Sequence, residues 1–200
     1  MKRFILILLF FPSILSANDW RFVHYSYNSH YIESLSYYNY GLCFAASSNY
    51  GVQLLKSTDY GNTWKMTFEV NPDSINDIFN INECFAVTDK IVYLTAADWS
   101  ILMKSTDGGV TFNKIIFDKS AWGPDWGLWS LSMYDTNKGI VCNDYAYFTT
   151  TDGWKTFKEH KNKYNSQTYY SPCFIDSNTI YFSYCGWENE FGFAFVKYIF

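Results

Sequence analysis

From Tyr31 onward the chain alternates short apolar runs with clusters of Asn, Asp, Gly and Ser. The runs are rich in β-branched and aromatic residues and are cut off by turn formers, the pattern of strands joined by tight turns. They fall into groups of four. The first group predicts strands at 31–37, 41–47, 52–58 and 63–69. The second predicts 75–81, 91–97, 100–106 and 111–117, with 82–90 read as an insertion or an extended hairpin. The third gives 128–134, 138–143, 145–151 and 155–160, and the fourth 169–175, 179–185 and 191–198.

The grouping coincides with an internal repeat. Ser57-Thr58-Asp59-Tyr60-Gly61-Asn62-Thr63-Trp64, Ser105-Thr106-Asp107-Gly108-Gly109-Val110-Thr111-Phe112 and Thr150-Thr151-Asp152-Gly153-Trp154-Lys155-Thr156-Phe157 share the pattern [ST]-T-D-x-[GW]-x-T-[WF]. Their aspartates are 48 and 45 residues apart, a period of one supersecondary unit. The chemistry is that of a turn. A carboxylate accepts hydrogen bonds from groups a few residues on, Gly supplies a positive φ, and the closing aromatic projects into the apolar layer. In the third copy Trp154 stands where Gly61 and Gly109 stand, which predicts a locally different turn with Gly153 at the permissive position.

The motif resembles the Asp-box, or bacterial neuraminidase repeat. That family includes sialidases, sortilin-type receptors, some glycoside hydrolases, the photosystem II assembly factor and many exported bacterial proteins. The resemblance implies an all-β propeller of four-stranded antiparallel blades, each box linking the third and fourth strands. It also implies a structural role for Ser57, Asp59, Gly61, Thr63, Trp64, Ser105, Asp107, Gly109, Thr111, Phe112, Thr150, Asp152, Thr156 and Phe157, at the blade periphery and away from any ligand. About four blades are expected, at 31–69, 75–117, 128–160 and 169–198. The last lacks a fourth strand, and Trp20-Arg21-Phe22-Val23-His24-Tyr25 looks like one, so 20–25 is expected to complete it and remove an exposed edge. The chain is then either a four-bladed ring or the first part of a larger propeller.

The first 17 residues read differently. Lys2 and Arg3 precede an apolar run from Phe4 to Phe11, then Pro12 and the stretch Ser13 to Ala17, a secretory signal peptide. The run is too short to span a bilayer, which takes about 20 apolar residues. The propeller domain is thus 18–200, and a secreted, periplasmic or cell-surface location is expected. Of 200 residues, 22% are aromatic and 17% charged, with a net charge of −4 that loss of Lys2 and Arg3 makes more negative. Such a balance gives no electrostatic footprint for nucleic acid or an anionic membrane. Export permits disulfides, but the five cysteines (Cys43, Cys84, Cys142, Cys173, Cys185) include no C-x-x-C pair. They read as small buried hydrophobes, with Cys173–Cys185 as the one bridge to consider.

Aromatic and acidic residues concentrate in the loops opposite the boxes: Trp99, then Trp122, Asp125 and Trp126, then Trp187 and Glu188. Flat aromatics beside carboxylates suit stacking on sugar rings or holding a peptide, so this rim is the candidate ligand face. The same tryptophans would equally fill space between blades. A glycan, or a protein or peptide, is the expected partner. Catalytic chemistry finds little support. A sialidase of this class needs an arginine triad, whereas Arg21 is the one arginine after the leader. A glycoside hydrolase using rim carboxylates is the enzymatic alternative, and a protein-assembly or stability factor is the other. His24, His30 and His160 are isolated, so no metal or other cofactor is expected.

Overall fold

The computed structural model describes residues 31–48, 51–70, 80–97, 100–117, 127–144, 146–161, 167–186 and 193–199. They form fifteen strands and no helix, so none is present to cross a membrane among the described residues. The first sheet runs β1 (Tyr31–Tyr37), β2 (Cys43–Ser48), β3 (Val52–Ser57) and β4 (Lys65–Val70). The second holds β5 (Ile81–Ala86), β6 (Val92–Ala96), β7 (Ile101–Ser105) and β8 (Asn113–Ile116). The third holds β9 (Ser130–Met133), β10 (Gly139–Cys142), β11 (Ala146–Thr150) and β12 (Lys158–Lys161). The fourth has three described strands, β13 (Gln167–Phe174), β14 (Thr179–Gly186) and β15 (Phe193–Ile199). All pairings are antiparallel and follow chain order, because tight hairpins leave no room for crossovers.

Successive sheets meet chiefly through their first strands, β1 on β5, β5 on β9 and β9 on β13, so these strands lie on the inside. Burial is greatest one strand further out. β2, β6 and β10 are almost wholly buried, while β4, β8 and β12 are mostly exposed. The core is correspondingly layered. Phe44, Ala46 and Leu54 of the first sheet pack on Ile81, Cys84 and Leu94 of the second. Tyr93, Leu102 and Phe117 pack on Leu131, Val141 and Phe148 of the third, and Ile140 and Cys142 on Ile180 and Phe182 of the fourth.

One expectation is resolved and another corrected. The first strand of the second sheet is Ile81–Ala86, so it lies almost wholly in 82–90 and bears out the extended hairpin rather than an insertion there; 75–79 fall outside the described residues. Thr88 Oγ1 accepts from the Lys90 and Ile91 N–H groups (3.2 and 2.8 Å), closing a tight turn that sets Ala86 opposite Val92. A hydroxyl-capped hairpin needs no Gly or Asn, so residue types alone left both readings open. The Cys173–Cys185 bridge is also excluded. Cys173 faces Tyr181 and Cys185 faces Thr168, so four residues of strand, about 13 Å, separate them. Cys43, Cys84, Cys142 and Cys173 are free thiols; Cys84 and Cys142 are buried, Cys43 is half-buried, and Cys173 is exposed rather than buried. The 1–17 leader and the 20–25 strand fall outside the described residues.

Candidate functional site

The three repeats form the same turn atom for atom. Asp59 Oδ1 accepts from Ser57 Oγ and Thr63 N (both 2.8 Å), and Oδ2 accepts from Thr63 Oγ1 at 2.6 Å. Ser57 Oγ in turn accepts from Gly61 N at 2.9 Å. Asp107 does this with Ser105 and Thr111, and Asp152 with Thr150 and Thr156. The Thr63 hydrogen bonds hold the Asp59 carboxyl at about 2, those of Thr156 hold Asp152 at about 2, and those of Thr111 hold Asp107 lower still. Every carboxylate oxygen is engaged inside its own loop, so these aspartates build the turn.

Trp154 does not change the turn, contrary to expectation. Its φ of 71° matches the 79° of Gly61 and 86° of Gly109, and its N–H donates to Thr150 Oγ1 at 3.0 Å. The strain of a left-handed tryptophan is offset by burial. The indole is 3% exposed, donates through Nε1 to Met133 Sδ and meets the Phe117 ring edge-on at 5.7 Å. The closing aromatics divide. Phe112 packs on Phe68 at 4.7 Å and Phe157 on Phe117 at 4.5 Å, while Trp64 folds back so that Nε1 donates to Gly61 O.

The turns close one end of the first three sheets. The second-to-third strand connections and the links between sheets leave from the other end, where the aromatic loops were expected. Trp99, Trp122, Asp125, Trp126, Trp187 and Glu188 lie outside the described residues. The described part of that end holds Trp129, whose N–H donates to Cys142 O at 2.9 Å and fixes it at the start of β9. Its ring sits 6.3 Å from that of Tyr170 on β13, and both are over a third exposed (38% and 37%). Directly beneath, the Ser171 N–H donates to Ser130 Oγ at 3.0 Å. The result is a two-ring aromatic platform bridging the third and fourth sheets. Tyr170 was not anticipated because it lies in a predicted strand 41 residues on; the packing of β13 on β9 puts it beside Trp129.

No protein-family model matches the chain, and no curated protein is similar to it in sequence. Solved structures are. YCF48 from Cyanidioschyzon merolae superposes with a TM-score of 0.54 at 11% identity, over 86% of this chain and 56% of that one. An ancestral GH74 enzyme gives 0.50 at 12% identity, over 82% of this chain and 25% of that one. The chain therefore spans just over half of the YCF48 chain and a quarter of the GH74 chain. The fold is a β-propeller.

Within the propeller, the sheets are blades and their innermost strands are tied by a belt of side chains. The strand registers make Ser34, Glu83, Ser130 and Tyr170 equivalent positions of the four blades. Three of them accept from the next blade. Ser34 Oγ takes the Cys84 N–H at 3.0 Å, Glu83 Oε2 takes that of Leu131, and Ser130 Oγ takes that of Ser171. These N–H groups point away from their own sheets and would otherwise be unpaired edge donors. Burial pushes the Glu83 carboxyl up to about 7, with the Leu131 N–H pulling the other way. Its neighbour Asn82 donates through Nδ2 to Leu128 O at 2.8 Å. Glu83 lies in the segment read as an insertion or an extended hairpin, where nothing local singles it out.

At the turn end of the first blade, Lys56, Thr58, Thr63, Trp64, Lys65 and Thr67 line an open cavity of about 190 Å³. The Lys56 ammonium there is already held by the Gly108 carbonyl at 3.4 Å and the Phe44 ring at 5.2 Å, and Lys65 is the other cation of the lining. Among the described residues no three His, Cys, Asp or Glu side chains converge as metal ligands.

Proposed function

We propose that this chain is an exported, non-catalytic propeller of the Asp-box class that binds an extended peptide or glycan across its loop face. The observation that carries the reading is the exposed Trp129–Tyr170 pair, held over the junction of the third and fourth blades. Rigid rings bridging two blades give a ligand flat apolar contact at small entropic cost, because neighbouring backbone bonds already fix the strands that carry them. The loops with Trp99, Trp122, Asp125, Trp126, Trp187 and Glu188 attach at the same end and would extend this platform. The three identical aspartate turns support the class assignment, and the basic-then-apolar N-terminus supports export to the periplasm, the cell surface or the medium. A protein-assembly role is one form such peptide binding would take.

The test is a screen of peptide and glycan arrays, followed by fluorescence titration of a hit. Trp129→Ala and Tyr170→Ala should each weaken binding about 10-fold, the scale of an aromatic contact with its buried area. Unchanged affinity in both variants would remove the platform, and turnover of a glycoside panel would overturn the non-catalytic assignment.

A further inference from the structure

Of the three aspartate turns, the first is the one beside which two cations meet, and they line the cavity there. Lys56 of β3 stands directly opposite Lys65 of β4, so both side chains leave the same face of the sheet. Like charges in such a pair repel, and neither ammonium makes an ion pair with a described residue. Lys56 gives one donor to the Gly108 carbonyl at 3.4 Å, which leaves two of its three. The Asp59 carboxylate lies in the adjoining turn, but its oxygens are taken by Ser57 and Thr63. Two facing lysines without a counter-charge are unfavourable as structure and suited to receiving an anion.

The other two turns lack this arrangement. Lys104 faces Asn113 and Lys158 faces Thr149, one cation in each case, and Lys104 is drawn off to Gly153 O at 2.8 Å. The closing aromatics differ in the same way. Phe112 and Phe157 are committed to Phe68 and Phe117 of the preceding blade, whereas Trp64 folds over its own turn. Because its Nε1 is spent on Gly61 O, the half-buried indole offers the cavity ring surface and no donor. The lining hydroxyls are constrained as well. Thr63 Oγ1 donates to Asp59 Oδ2 and Thr67 Oγ1 to Leu54 O, so their hydrogens are spent while their lone pairs remain.

The cavity therefore combines cationic donors, hydroxyl acceptors and a flat apolar wall within about 190 Å³. A fully ionised inorganic anion has no hydrogen to give and would use the lysines alone. A ligand that uses all three features carries an acidic group, hydroxyls that donate and a ring with an apolar face. We propose that this cavity binds an acidic sugar, a single ring bearing one carboxylate or sulfate group. The acid lies between Lys56 and Lys65, ring hydroxyls donate to Thr63 and Thr67, and a ring face rests on Trp64. The site is at the turn end of the first blade, the opposite end from Trp129 and Tyr170, so it stands or falls independently of the loop face.

Isothermal titration calorimetry with methyl β-D-glucuronide, glucose 6-sulfate, methyl β-D-glucoside, sodium sulfate and N-acetylglycine is the test. The expected result is that one or both acidic sugars bind at least about 10-fold more tightly than the other three, with affinity falling as salt is raised. Whichever acidic sugar binds more tightly identifies the acid. Lys65→Gln should weaken that binding about 10-fold. It should not lower the melting temperature, because it relieves the repulsion with Lys56. Lys158→Gln, at the equivalent position of the third blade, should leave binding unchanged. Equal binding of the glucoside overturns the proposal, since the lysines would then be unused. Equal binding of sulfate or N-acetylglycine overturns it too, by making the cavity a plain anion site. So do failure of both acidic sugars to bind, equal losses in the two lysine variants, and a Lys65→Gln protein that melts earlier than the wild type.

Discussion

The first and second blades share strand order, register and turn chemistry, yet equivalent positions have opposite environments. Leu35 is 67% exposed and Cys84 is 2% exposed, although each follows an acceptor of the belt, Ser34 or Glu83. The difference is that β1 packs over Cys84 whereas no described strand packs over Leu35. In a propeller, burial belongs to the interface between repeats rather than to the repeat itself, so one sequence pattern yields a core residue or a surface residue according to its neighbours.

The largest test of that comparison removes the same atoms from both environments. Leu131→Ala should cost about 2–5 kcal/mol in urea unfolding, because it opens a cavity between the second and third blades. Leu35→Ala should cost less than about 0.5 kcal/mol. Equal losses would mean that the first blade is covered after all.

Next in size is Glu83, whose carboxyl stays protonated in the folded protein up to about pH 7 but ionises near its ordinary 4.5 when unfolded. The folded state therefore binds more protons in that window, and stability falls as pH rises through it. Glu83→Gln keeps an oxygen for the Leu131 N–H without the charge. It should stabilise the protein by up to about 3 kcal/mol at pH 8 and far less at pH 5, read as melting temperature against pH. A pH-independent difference would place Glu83 in water.

The turns extend the comparison to the periphery. A Cβ on Gly109 would come 2.6 Å from Leu54 Cδ2 of the first blade, whereas one on Gly61 meets nothing nearer than Trp64 at 3.4 Å. Both have left-handed φ, so Gly61→Ala should cost about 1 kcal/mol and Gly109→Ala about 2 kcal/mol or more. The smallest effect is common to all three turns. Asp59 and Asp152 are held near 2 against an ordinary 3.8, so their stabilisation is complete above that value and is lost as pH falls towards 2. Asp107→Asn should flatten part of this acid limb, and an unchanged acid limb would show that the turn does not depend on the charge.

Much of this architecture was legible from one repeated octapeptide. An aspartate that satisfies a serine or threonine, a backbone N–H and a second threonine within eight residues is local chemistry, independent of the rest of the chain, and it marked three third-to-fourth strand turns correctly. Trp154 shows the limit of the local reading. Sequence demanded an altered turn there, but contacts with Met133 and Phe117 hold the tryptophan in the conformation glycine adopts elsewhere. The candidate platform was not legible. The sequence pointed to neighbouring tryptophans, whereas Trp129, expected in a strand, and Tyr170, 41 positions on, come together only because β9 and β13 are adjacent.

The sequence by itself determined the strands, the turns and their period, because alternation and hydrogen bonds within a loop act over a few residues. Only the tertiary structure decided which equivalent side chains are core, which lysine reaches which carbonyl and where a buried carboxylate is tolerated. Those outcomes depend on desolvation and packing between blades, and on residues some fifty positions apart that no local pattern brings together.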